Sequence, residues 1–112
     1  MKLPNAEAAI IDADKLRDYL LSPAHPVGRF KAAFFRSLGY SREDWTQFEN
    51  DLREYHLTED FSDILESRYG VKYVIRSNLK GPSGETVELV SVWIILKEED
   101  APRFVTAYPG EK

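Results

Sequence analysis

Thr86-Val87-Glu88-Leu89-Val90-Ser91-Val92-Trp93-Ile94-Ile95-Leu96 is the stretch whose reading decides the fold. It is rich in β-branched and aromatic residues, and its side chains divide by strand alternation. Val90, Val92, Ile94 and Leu96 fall on one face, and Leu89, Ser91, Trp93 and Ile95 on the other. Both faces are apolar, which predicts a strand inside a sheet rather than at its rim. Working outward, alternation predicts three more strands, at about Ser62–Arg68, Val71–Asn78 and Arg103–Tyr108. Tyr69-Gly70, Gly81-Pro82-Ser83-Gly84 and Glu98-Glu99-Asp100-Ala101-Pro102 are the turns between them. Connections this short allow only antiparallel neighbours, so the sheet is expected to be a meander.

Upstream of about His56 the period changes to helical. Asp12 is placed to cap a helix over Ala13–Leu21, with Leu16 and Leu20 on its buried side. Ser22-Pro23 ends it, because the residue before a proline disfavours the helical region. In the second helix Phe30, Ala33, Phe34 and Leu38 are predicted to face the core, with Gly39 as the stop. Ser41 and Asp44 suggest a capping arrangement for the third helix, with Tyr40 and Trp45 placed as a hydrophobic staple. Trp45, Phe48 and Leu52 are its apolar stripe. The expectation is an α+β fold: about three N-terminal helices packed on a four-stranded antiparallel meander sheet, one domain over residues 1–112.

Composition narrows the chemistry. The 112 residues include no cysteine, so disulfides and thiolate metal sites are excluded. No apolar signal core follows Met1, and the longest apolar run, Val92–Leu96, is far too short to span a bilayer. A cytoplasmic protein without a membrane partner is expected. The net charge of −4 argues against nucleic acid, but the charge is segregated. Glu43–Glu66 holds nine acids against Arg53, a local −8, which leaves +4 elsewhere. Leu21–Arg42 and Ser67–Gly84 contain cations and no acid. Such segregation can give an acidic protein an anion-binding face, or merely solvated surfaces.

Three groups of residues bear candidate chemistry. His25, between Pro23 and Pro26, titrates near neutral pH and stands beside Arg29 and Lys31 at a helix start next to Gly28. Lys72, Arg76 and Lys80 share strand parity, a stripe that suits phosphates and is also ordinary on an exposed sheet face. Thr106 and Tyr108 offer two hydroxyls on one face of the last strand, near Arg103. His56, ending an acidic helix beside Tyr55, is expected at the surface, where a helix C-terminus favours a cation. No metal-ligand spacing, phosphate loop or nucleophile motif occurs, so no cofactor and no metal are expected.

The run Leu16–Phe35, with Ser22-Pro23-Ala24-His25-Pro26-Val27-Gly28-Arg29-Phe30-Lys31-Ala32-Ala33-Phe34-Phe35 at its heart, resembles a family of small uncharacterised bacterial domains. That family carries an HPxGxxKAxFF element, a VWI strand matched by Val92-Trp93-Ile94, and a closing TAYP matched by Thr106-Ala107-Tyr108-Pro109. A weaker, fold-level likeness is to the barnase–EndoU–colicin–RelE superfamily of metal-independent ribonucleases, often toxins. That resemblance implies His25 as acid or base, Lys31 or Arg29 as the cation at the phosphate, and Thr106 and Tyr108 as substrate contacts. RNA is the expected partner, and the basic residues Arg29, Lys72, Arg76 and Arg103 are the expected phosphate contacts. The competing expectation is a non-catalytic module, an antitoxin, immunity or regulatory protein, that docks a cognate protein through its acidic third helix.

Overall fold

The structure is a computed structural model that describes residues 1–22, 24 and 29–110; of residues 29 and 30 it describes the backbone alone. The sheet is the predicted meander. β1 (Phe61–Ser67), β2 (Gly70–Lys80), β3 (Thr86–Leu96) and β4 (Arg103–Pro109) lie side by side in chain order, all antiparallel. β3 is internal, as its two apolar faces require. β1 is shorter than β2 and pairs with it only as far as Ile75, so β2 is unpaired on that side beyond this point.

The helices pack on one face. α1 (Ala13–Lys15) continues as a π-helical turn (Leu16–Leu20), and α3 (Trp45–Asp51) continues as a second one (Leu52–His56). Between them lies α2 (Arg29–Ser37). Leu16, Leu20, Phe35, Leu38, Phe48 and Leu52 meet Ile75, Leu79, Leu89, Trp93, Phe104 and Ala107 in one core. Directly paired strand residues share a face. Tyr73, Trp93 and Phe104 form one row across β2, β3 and β4, and Ile75, Ser91 and Ala107 the next. These rows point at the helices. The whole is an α+β fold with the helices first in the chain.

Several local expectations are corrected. α2 buries Ala32, Phe35 and Leu38, while Ala33 is exposed and Phe34 only partly buried. The stripe is turned by about one residue, because Phe35 is the ring that packs against Phe48, centroids 4.9 Å apart. Asp12 stands before α1 but its side chain caps nothing. Ser41 Oγ accepts the Asp44 N–H at 3.2 Å, yet this closes a turn ahead of the helix, which begins at Trp45. Tyr40 packs on Phe48, with ring centroids 4.7 Å apart.

Gly39 ends α2 as its sequence position suggests. The Tyr40 N–H reaches the Phe35 carbonyl at 3.2 Å and the Gly39 N–H the Arg36 carbonyl at 2.9 Å, a Schellman closure with Gly39 at φ +99°. The β2–β3 turn docks on this helix end, where the Ser83 N–H donates to the Leu38 carbonyl at 2.9 Å. A Cβ on Gly39 would stand 2.7 Å from Ser83 N, whereas one on Gly84, at the similar φ of +95°, would meet nothing within 4 Å. Both alanine substitutions carry the left-handed penalty, about 1–2 kcal/mol. Gly39→Ala should cost about 1–3 kcal/mol more than Gly84→Ala, from overpacking. Urea unfolding of the two variants measures the difference, and equal losses would contradict the docking of this turn on the end of α2.

Candidate functional site at the β4 edge

The outer face of the sheet, away from the helices, carries the residues to which the sequence pointed. Lys72, Ile94 and Arg103 form one row, Val74, Val92 and Thr106 the next, and Arg76, Val90 and Tyr108 the third. An apolar strip along β3 is thus flanked by cations on β2 and by hydroxyls and Arg103 on β4.

Thr106 reaches that face through an irregularity in the strand. Val92 pairs with Thr106 but Trp93 pairs with Phe104, so Val105 is an extra residue in β4. Strict alternation would put Phe104 and Thr106 on the same side. The bulge lets Phe104 enter the core while Thr106 and Tyr108 turn outward.

From the helix layer, two side chains come round the β4 edge to meet them. The Lys31 Nζ, on the first turn of α2, donates to Thr106 Oγ1 at 3.0 Å and to the Tyr19 hydroxyl at 3.1 Å. The same ammonium lies 5.3 Å from the Tyr19 ring centroid and 5.8 Å from that of Tyr108. Partial burial alone would raise the Tyr19 phenol pKa, but hydrogen bonds from Lys31 and Thr106 and the charges of Lys31 and Lys15 outweigh it and lower it. The arrangement is an ammonium held between two hydroxyls and two aromatic faces, half-buried and at the rim of an open sheet face. It can receive an oxyanion on the Nζ side and supply a phenolic proton.

Of the predicted site residues, Lys31, Thr106 and Tyr108 therefore come together. Lys72, Arg76 and Arg103 share the outer face with Thr106 and Tyr108. Arg76 makes an ion pair with Glu88 at 3.6 Å and Arg103 one with Glu99 at 3.0 Å, both exposed. Exposed pairs of this kind are weak and exchange readily for a stronger anion. His25 lies outside the described residues, as does the side chain of Arg29. Arg42, in the same basic stretch, is committed elsewhere: with Arg17 it binds Asp18 and holds that carboxyl well below the usual range. Sequence reasoning missed Tyr19. Its signal was only its place on the helix face next to Leu16 and Leu20.

His56 is the largest correction. It is buried, with no solvent-exposed surface, not at the surface as expected. Ser77 Oγ is 2.8 Å from its Nδ1 and Ser91 Oγ is 2.6 Å from its Nε2. The Trp93 indole N–H, which can only donate, gives its proton to Ser91 Oγ at 2.8 Å. Burial pushes the imidazole down to about 4, so it is neutral at pH 7 and carries one N–H between two hydroxyls. It ties the helices to the middle strands and faces away from the β4 edge.

This burial fixes a pH dependence. The folded histidine has a pKa near 4 and the unfolded one about 6.5. Between these values the unfolded chain binds the extra proton, so stability is full above about pH 6.5 and falls as pH drops towards 4, by roughly 3 kcal/mol. Urea midpoints for the wild type and His56→Gln, measured from pH 7.5 to 4.5, should show the acid loss in the wild type alone. The same slope in both would contradict it.

Among the described residues no helix is long and apolar enough to cross a membrane, and no group of three or more His, Cys, Asp or Glu could hold a metal ion. The profile of a family described as a domain of unknown function, DUF6883, matches residues 2–111. Among solved structures, a chain of a contact-dependent growth inhibition toxin–immunity protein complex from Klebsiella pneumoniae 342 is similar in fold. It superposes with a TM-score of 0.65 at 21% identity, covering 96% of this chain and 97% of that one. No curated protein matches significantly. With nearly its whole length inside that profile, the chain belongs to the DUF6883 family.

Proposed function

We propose that the chain is a toxin-like RNA-processing domain, a metal-independent endoribonuclease working at the β4 edge of the sheet. The observation that carries this reading is the meeting of Lys31 with Thr106 at 3.0 Å, which joins a helix cation to a hydroxyl of the outer sheet face. The fold shared with a chain of a toxin–immunity protein complex is in keeping with a toxin-like role and equally with that of an immunity-type partner. Lys72, Arg76 and Arg103, on the same face as Thr106 and Tyr108, would take the phosphates on either side.

The chemistry assigned to the site is transesterification. His25, four residues before α2, accepts the ribose 2′-OH proton. The 2′-oxygen attacks the neighbouring phosphorus, and the P–O5′ bond breaks. The leaving 5′-oxygen takes a proton from the Tyr19 phenol, which lies against Lys31. The products are a 2′,3′-cyclic phosphate and a 5′-hydroxyl, after which His25 releases its proton to solvent and the Tyr19 phenolate takes one up, which resets the site. Lys31 and Thr106 stabilise the added charge on the phosphorane, an electrostatic contribution that is often the largest in such sites. DNA lacks the attacking hydroxyl and is left intact.

A second reading, a module that docks a cognate protein through its acidic third helix, draws on a different observation. The segment 43–66 is net −8, and Gln47, Asp51 and Tyr55 of its helical part face Asn78 and Lys80 of β2 across a cleft. The two readings use different surfaces.

The test is labelled tRNA or oligoribonucleotide incubated with purified protein in EDTA. The wild type should cleave and leave cyclic phosphate ends. Lys31→Met should slow cleavage by about 100-fold or more, and His25→Ala at least as much. No cleavage by the wild type, or equal cleavage by all three proteins, would end this reading.

A further inference from the structure

A cleft of about 630 Å³ opens at the other side of the sheet, where β2 runs on beyond the end of β1. Gln47, Asp51 and Tyr55 from α3 and its π-helical extension line one wall, and Asn78, Lys80 and Pro82 the other. Its size is that of sites that hold ligands.

Asp51 is the unusual member. It is only 8% exposed, and its two carboxylate oxygens are engaged by neutral donors. The Tyr40 hydroxyl donates to Oδ2 at 2.6 Å and the Gln47 amide to Oδ1 at 3.0 Å. Among the described residues no cation makes an ion pair with it. Buried charges are ordinarily paired with an opposite charge. A carboxylate has about four acceptor positions, so two remain after these bonds. A guanidinium presents two parallel N–H groups that match them. Tyr55, 56% exposed on the same wall, offers a flat aromatic face on which a guanidinium stacks.

The local charge selects the occupant. Among the described lining residues Asp51 is the one acid and Lys80 the one base, and the segment 43–66 around Asp51 is net −8, a surround that favours a cationic partner over a phosphate. We propose that this cleft binds an arginine side chain of a basic protein partner, with Asp51 as its carboxylate and Tyr55 as its aromatic wall. The inference rests on the second reading, docking through the acidic third helix, and names its anchor; it stands apart from the cleavage chemistry, since it uses no residue of the β4 edge. Lys80, on the opposite wall, forms no ion pair among the described residues and opposes the arginine. Removing it should therefore strengthen binding, whereas a nucleotide would lose by the same change.

The test is an NMR titration of the full chain with triarginine, trilysine and GMP, read at the Gln47 and Asn78 side-chain amides. Triarginine should give saturable shifts there and bind several-fold tighter than trilysine. Asp51→Asn should weaken it at least tenfold, Tyr55→Ala about threefold, and Lys80→Ala should tighten it. Tyr55 is exposed, so Tyr55→Ala decides the matter even where Asp51→Asn unfolds. Absence of saturable shifts at these amides, equal binding of trilysine, or binding of GMP that is lost in Lys80→Ala would overturn the proposal.

Discussion

Within the apolar contact between helices and sheet, a neutral imidazole sets the register. His56 ends the second π-helical turn and bonds Ser77 on β2 and Ser91 on β3, while Trp93 bonds Ser91 in turn. Every buried side-chain polar atom among the described residues has a partner. A satisfied network of this kind specifies one arrangement, because any slip of the helices leaves a buried donor or acceptor bare. A strand register shifted by one residue would turn Ser77 and Ser91 to the outer face and break it. The same contact fixes the direction in which α3 leaves the sheet, and so the cleft beside β2.

With the inner face closed by helices, the outer face and the two edges are what remain for function. The edges differ. At β4, Lys31 and Tyr19 wrap round from the helix side and make a polar rim for a face bearing Lys72, Arg76 and Arg103. At β2, the acidic third helix borders a cleft holding a carboxylate that pairs with no cation among the described residues. The net charge of −4 conceals this division, since it averages an acidic side over a basic one. An electronegative total is compatible with anion binding when the cations are gathered on one face.

The sheet was legible because its signal is strong: alternation, short turns and a middle strand apolar on both sides. The parity of Lys72, Arg76 and Lys80 was legible for the same reason. What escaped depended on contacts distant in sequence. Phe34 and Phe35 are adjacent, and only the position of Phe48 decides which is buried. His56 looks like a surface cation until Ser77 and Ser91, twenty-one and thirty-five residues on, supply its partners. The Val105 bulge breaks the alternation that strand reading relies on, yet it is what turns Thr106 towards Lys31. Tyr19 carried no motif. Its role follows from a lysine twelve residues later on another helix.

The central claim is that RNA lies on the outer face and meets Lys31 at the β4 edge. It is tested most directly by mapping a bound, uncleavable ligand. A short RNA with 2′-O-methyl groups keeps the phosphates and lacks the attacking hydroxyl. Added to 15N-labelled protein, it should shift the signals of Lys31, Thr106 and Tyr108, with smaller changes at Lys72, Arg76 and Arg103. Shifts confined to α3 and the cleft beside β2, or none at all, would contradict the account.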